Sequence, residues 1–227
     1  MLEFDGVSKR YGATVALESL SFAVKPGEMF GFVGANGAGK TTAMRIALGV
    51  LSADSGEVRW NSAPVTFTNR QRFGYMPEER GLYPKMQVHE QLVYFARLHG
   101  ISQGEAGRAA DRWIERLGIT ARRTDAVEKL SLGNQQRVQL AAALVYDPDV
   151  LILDEPFSGL DPVGVDALAD VLVAKCREGI PVIFSSHQLE LVERLCDSVG
   201  IINRGRLVAS GTVPELRDRN SARRLRV

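Results

Sequence analysis

The run Gly34-Ala35-Asn36-Gly37-Ala38-Gly39-Lys40-Thr41-Thr42 places two glycines, a lysine and a threonine in the spacing Gly-x-x-x-x-Gly-Lys-Thr. Glycines so placed let the backbone curl until successive N–H groups point inward, a cradle for phosphate oxygens. Lys40 would carry positive charge to the β- and γ-phosphates of a nucleoside triphosphate, and the Thr41 hydroxyl is placed to ligate Mg²⁺. A second constellation lies downstream, where the apolar run Leu151-Ile152-Leu153 ends in Asp154-Glu155. A buried strand would deliver Asp154 beside the loop, where it holds Mg²⁺ through its water shell. Side chains alternate along a strand, so Glu155 points elsewhere and is free to act on an attacking water as general base. The bland alternatives are a chance glycine-rich turn and a solvated acidic turn. Together the two segments favour nucleotide hydrolysis.

The elements around these residues supply the required context. Met29 to Val33 is a short apolar run after the turn signal Pro26-Gly27, and a helical pattern from Lys40 ends at Gly49. Strand, glycine-rich turn and helix follow in the order a phosphate loop needs. Leu2 to Val7 and Val15 to Val24 alternate as sheet faces, and Arg72–Met76, Val150–Leu153, Pro181–Ser185 and Val199–Ile202 are further strands. Between them, 86–146 changes character. Val88 to Leu98 and Glu105 to Leu117 carry apolar residues at helical spacing, with Gly100 and Gly118 as stops. Asp161-Pro162 opens a helix as N-cap and first-turn proline, and Thr212-Val213-Pro214-Glu215 reads as a capping box. The expected fold is α/β: a P-loop NTPase core with a mainly parallel sheet and an N-terminal antiparallel β subdomain. The whole of 1–227 forms one domain, with 86–146 as an inserted helical subdomain.

A third segment narrows the class. Leu130-Ser131-Leu132-Gly133-Asn134-Gln135-Gln136-Arg137 lies between the phosphate loop and Asp154 and opens a helix. It resembles the LSGGQ signature of the ABC ATPases, and other elements fall in that family's order. Tyr11 stands where the family has an adenine-stacking aromatic, Ser158-Gly159-Leu160-Asp161 resembles the D-loop, and His187 the switch histidine. The resemblance covers about Leu2 to Ser210. It implies that Ser131 and Gly133 bind the γ-phosphate of ATP held by a second subunit, while His187 contacts the γ-phosphate. Ser131 also suits a helix N-cap, and the two roles are compatible because a helix N-terminus binds phosphate. Tyr11 has the alternative of packing, and His187 that of a turn residue.

The sequence departs from the family pattern at Leu132 and Asn134, where the consensus has Gly and Gln, and at Glu78, where the Q-loop has Gln. A carboxylate can still ligate Mg²⁺. The run Pro77-Glu78-Glu79-Arg80-Gly81-Leu82-Tyr83-Pro84 resembles the bacterial drug- and sodium-exporter branch. The resemblance therefore implies the ATP- and Mg²⁺-dependent subunit of an exporter, peripheral on the cytoplasmic face of the membrane. Its partners would be membrane-spanning permease subunits and a second ATP-binding subunit, in an ATP-dependent homodimer or a heterodimer with a similar chain. The rival is an ABC-type ATPase acting on a ribosome or nucleic acid. Ribosome-associated members usually carry two such domains and DNA-repair members a long coiled-coil insertion, and neither is expected within these 227 residues.

Composition agrees. The 227 residues are 45% hydrophobic and 24% charged, as in ordinary globular proteins, so disorder and fibrous repeats are excluded. Lys and Arg number 28 against 27 Asp and Glu, a balance that gives no general pull toward nucleic acid. Cys176 and Cys196 form no Cys-x-x-Cys pair; they are expected in the core, in a reducing compartment. The start MLEFDGVSKR lacks the apolar run of a signal peptide. Arg217, Arg219, Arg223, Arg224 and Arg226 read as a solvated end, where many members of the exporter branch continue into a small C-terminal domain.

Overall fold

From the N-terminus, strands β1 (Leu2–Tyr11), β2 (Thr14–Val24) and β3 (Met29–Val33) lead into helix α1 (Lys40–Ala47). Next come β4 (Ser55–Trp60), β5 (Ala63–Pro64), the single turn α2 (Phe67–Arg70) and β6 (Phe73–Met76). Helices α3 (Val88–Leu98), α4 (Gln103–Arg116) and α5 (Leu132–Leu144) follow, then β7 (Val150–Leu153), α6 (Pro162–Arg177) and β8 (Val182–Ser186). The last elements are α7 (Leu189–Leu195), β9 (Ser198–Asn203), β10 (Arg206–Thr212) and α8 (Val213–Arg224). This computed structural model describes residues 1–79 and 81–224; Arg80 and Arg226, which enter two of the sequence readings, lie outside them. The chain divides into two compact units, Met1–Arg70 with Lys175–Val227, and Gln71–Ala174.

In the first unit β1 and β2 form an antiparallel hairpin, with Leu2 opposite Val24 and Tyr11 opposite Thr14. β4 adds antiparallel to β1, and β5 to β4. Alternation sends Leu2, Phe4, Leu20, Phe22 and Val24 inward. Phe22 stacks on Phe4 at 4.4 Å and on Phe30 of β3 at 4.9 Å, a continuous aromatic layer. All five residues of β3 are buried, and β3 runs parallel to both β8 and β9. A strand flanked in this way is covered on both faces, which is why it reads as an apolar run rather than an alternation. β10 closes antiparallel on β9. The expected capping box opens α8: Thr212 N–H donates to Glu215 Oε2 at 3.0 Å, and Glu215 N–H to Thr212 Oγ1 at 3.4 Å. Cys176 and Cys196 are half-buried rather than core residues. Burial pushes both thiols up, Cys176 to about 12, so neither is a reactive thiolate near neutral pH.

In the second unit β6 and β7 pair in parallel, Phe73 with Val150 through Met76 with Leu153. α3 and α4 bury Leu92, Ala96, Ala106, Ala110 and Trp113. Ser102 caps α4, accepting from Glu105 N–H at 3.4 Å, and Gly100 and Gly118 sit at positive φ just past α3 and α4. α5 buries Val138, Leu140, Ala141 and Leu144, and with them Gln135 and Gln139. Tyr146, just past α5, donates its hydroxyl to the Phe73 carbonyl of β6 at 3.1 Å. Among the described residues no helix is long and apolar enough to cross a membrane.

Candidate functional site

The phosphate loop leaves the first unit's sheet where β3 ends. Val33 is paired with Ser186 of β8, so Gly34 and His187 emerge one residue past the same register of neighbouring parallel strands. A Cβ on Gly34 would lie 2.5 Å from the Ile202 carbonyl oxygen, so this position admits only glycine without a shift. Gly39, the N-cap of α1 with φ 114°, is hemmed in likewise, 2.6 Å from the Ala16 carbonyl oxygen. Gly37 differs: its φ is 77°, yet nothing lies within 4 Å of a Cβ built there. Two glycines are thus fixed by packing, and the third by backbone conformation beside open space.

Within the loop, Ala38 N–H donates to the Ala35 carbonyl at 3.1 Å, and Gly205 N–H to the Ala38 carbonyl at 2.9 Å. Lys40 is 6% exposed and folds back over the loop, its Nζ donating to the carbonyls of Gly34 at 2.6 Å and Ala35 at 3.4 Å. Ala35, Asn36 and Gly37 are exposed at the rim. Lys40, Thr41 and Thr42 form the first turn of α1, whose N–H groups and positive dipole end face the loop. Backbone N–H groups at a helix start can receive an anion. His187 is exposed beyond β8. Tyr11 is 48% exposed at the end of β1, with Lys9 Nζ 5.9 Å from its ring centroid.

The second unit carries the carboxylates and the signature segment. Asp154 N–H donates to the Met76 carbonyl at 2.8 Å, continuing the β6–β7 ladder past its last paired residues. Asp154 is 1% exposed. Glu78, two residues beyond β6, is exposed. Glu155 is 7% exposed and adopts φ 50°, a left-handed conformation that costs a non-glycine residue about 1–2 kcal/mol. Strain of this kind persists only where the surroundings hold it, and it clusters at functional sites.

Ser131 is the N-cap of α5 and accepts from Asn134 N–H at 3.4 Å. Gln135 fixes the approach to the helix, donating to the carbonyls of Val127 at 3.2 Å and Leu130 at 3.0 Å. Leu132 points outward, 55% exposed, so this departure does not bury the helix start. Ser131, Gly133, Arg137, Leu160 and Asp161 line one open cleft of about 370 Å³. Asp161 caps α6, accepting from Gly164 N–H at 2.8 Å, and Ser158 N–H closes a turn on the Glu155 carbonyl at 3.1 Å.

The sequence-derived residues therefore fall in two groups. Tyr11, Gly34–Thr42 and His187 belong to the first unit; Glu78, Ser131, Gly133, Asp154, Glu155, Ser158 and Asp161 belong to the second. Sequence reasoning missed Gln136, whose Nε2 donates to the Pro156 carbonyl at 2.8 Å and reaches that of Glu155 at 3.4 Å. The available signal was a run of amides inside a helix that also carries buried apolar residues.

Residues 17–158 match the family model described as ABC transporter. An uncharacterized ABC transporter ATP-binding protein of Bacillus subtilis, YhaQ, is 45% identical over 96% of this chain and 73% of its own length. The Nod factor export ATP-binding protein I of Paraburkholderia xenovorans is 38% identical over 92% of this chain and 70% of its own. A solved ATP-binding subunit of an ABC transporter superposes with a TM-score of 0.88 at 31% identity, covering 97% of this chain and 93% of that one. With the phosphate loop, signature segment and carboxylates in the family's order, these likenesses establish that the chain belongs to the ABC transporter family, as an ATP-binding subunit and an ATPase.

Proposed function

We propose that this subunit powers export, hydrolysing ATP at the cytoplasmic face of a membrane while bound to permease subunits. The relative named for Nod factor export and the segment beginning Pro77-Glu78 support that direction. The observation that carries the nucleotide site is the loop itself: a buried lysine folded over two carbonyls beside open space at Gly37. In this reading the loop amides, Lys40 and the start of α1 bind the α-, β- and γ-phosphates, and Tyr11 stacks on adenine. Among the described residues no three His, Cys, Asp or Glu side chains cluster as a metal cage. The family resemblance assigns Mg²⁺ to the Thr41 hydroxyl and to the Asp154 and Glu78 carboxylates, donor types that suit an ion which arrives on phosphates and keeps its waters. An ion held by these residues would supply positive charge against the oxygens of the triphosphate.

Glu155 accepts a proton from water as the water oxygen bonds to the γ-phosphorus. The bond from that phosphorus to the bridging oxygen breaks, and ADP leaves with the electron pair. His187 steadies the γ-phosphate. Two copies face each other, and Ser131 and Gly133 at the start of α5 hold the γ-phosphate of the opposite copy's ATP. Ser158 and Asp161 stand at the same seam. Closing the site excludes water, which strengthens every charge acting on the transition state.

The test is Lys40→Ala. Loss of one charge-assisted bond should weaken ATP binding about tenfold or more and abolish turnover. Retained turnover would contradict the assigned cradle.

A further inference from the structure

Glu155 is held in a conformation its residue type disfavours, and the contacts that hold it come from α5 as well as from its own turn. Ser158 N–H takes the Glu155 carbonyl from one side. From the other, the Gln136 carboxamide spans two successive carbonyls, Glu155 and Pro156. Three residues on, Gln139 donates to the Pro77 carbonyl at 2.5 Å, next to Glu78. Gln135 anchors Val127 and Leu130. The first two turns of α5 are thus tied through amides to three loops. An apolar side chain would fill the same space, but it would leave the turn's carbonyls without these donors.

We propose that Gln136 is a positioning residue for Glu155. It fixes the backbone turn that aims the carboxylate, and so links the helix start that carries Ser131 and Gly133 to the base. A small rotation of α5 would be passed through the Gln136 amide to the Pro156 and Glu155 carbonyls. The proposal rests on Glu155 being the general base.

The experiment is steady-state hydrolysis by the full chain. Gln136→Met keeps the length and removes the donor. Misplacing a catalytic group costs up to about 100-fold, so kcat should fall about 10- to 100-fold while KM for MgATP stays within about twofold. In a Glu155→Gln background the same substitution should add no further loss, because no base remains to be aimed. Gln136→Lys, which keeps a donor, should retain more turnover than Gln136→Met; a side chain that merely packs would give the opposite ranking. An equal loss in both backgrounds, unchanged kcat in Gln136→Met, or the opposite ranking overturns the positioning role while leaving the base assignment intact. Undiminished turnover in Glu155→Gln alone overturns the base assignment, and the positioning role with it.

Discussion

Gly37 and Gly39 are two residues apart in the phosphate loop, yet alanine at each should fail differently. At Gly37 a methyl group meets nothing within 4 Å, so the cost to folding is the positive φ of 77° alone, about 1–2 kcal/mol. At Gly39 the same kind of backbone cost applies, and the new Cβ lies 2.6 Å from the Ala16 carbonyl oxygen and 2.8 Å from Leu17 Cδ2. Neither backbone nor packed leucine yields cheaply, and overpacking adds about 1–3 kcal/mol. For a chain of this length each kcal/mol shifts the melting temperature by about 2–4 °C. Gly39→Ala should therefore melt several degrees below Gly37→Ala in the absence of nucleotide. Binding should not follow stability. In the proposed nucleotide site the Gly37 methyl group would compete with phosphate for the open space, so the more stable variant should still lose about tenfold or more in ATP affinity. Differential scanning calorimetry and isothermal titration give both numbers. Equal melting of the two variants would contradict the difference in packing at the two glycines, and wild-type ATP affinity in Gly37→Ala would contradict a phosphate beside Gly37.

Two further expectations address other parts of the molecule. If the half-exposed Tyr11 ring stacks on the base, Tyr11→Ala weakens ATP binding by about 1–3 kcal/mol while Tyr11→Trp preserves it; unchanged affinity in Tyr11→Ala, read by titration, returns the ring to packing. Burial pushes the Tyr146 hydroxyl from 10.0 to about 12. A raised pKa means that its stabilising contribution is complete below pH 10 and is lost as pH rises toward 12. That loss amounts to about 2–3 kcal/mol and should be absent from Tyr146→Phe in denaturant titrations at successive pH values.

What the sequence made legible follows short-range physics. The loop between β3 and α1, the limits of α3 at Val88 and Leu98, the Asp161 cap and the Thr212 capping box depend on residues within a few positions of each other. β4 and β10 escaped notice. β4 begins Ser55-Gly56, with Gly56 at φ 75° packed against the Gly6 backbone, a contact that only the folded chain reveals. β10 shows alternating exposure with small residues at Ala209, Ser210 and Gly211, and it is fixed by pairing with β9 and by the Arg206–Glu18 fork at 2.6 and 2.8 Å. The division of the site residues between two units was likewise invisible, because spacing along the chain carries no boundary signal at residue 70 or 175. Gln136 carries no local signal of its contacts either, since its partners lie 19 and 20 positions away.

In the proposed dimer, one copy's signature segment completes the other copy's ATP site. The most direct test is light scattering of Glu155→Gln in low salt, with and without MgATP, alongside the same variant carrying Ser131→Arg. Removing the proton acceptor should slow hydrolysis by about a hundredfold or more and let the closed state accumulate. Neutralising the carboxylate also removes a negative charge near each triphosphate. The predicted result is a mass near twice 24.8 kDa only with MgATP and only with Ser131 intact. An ATP-induced dimer that survives Ser131→Arg would contradict a role for the signature segment across the dimer.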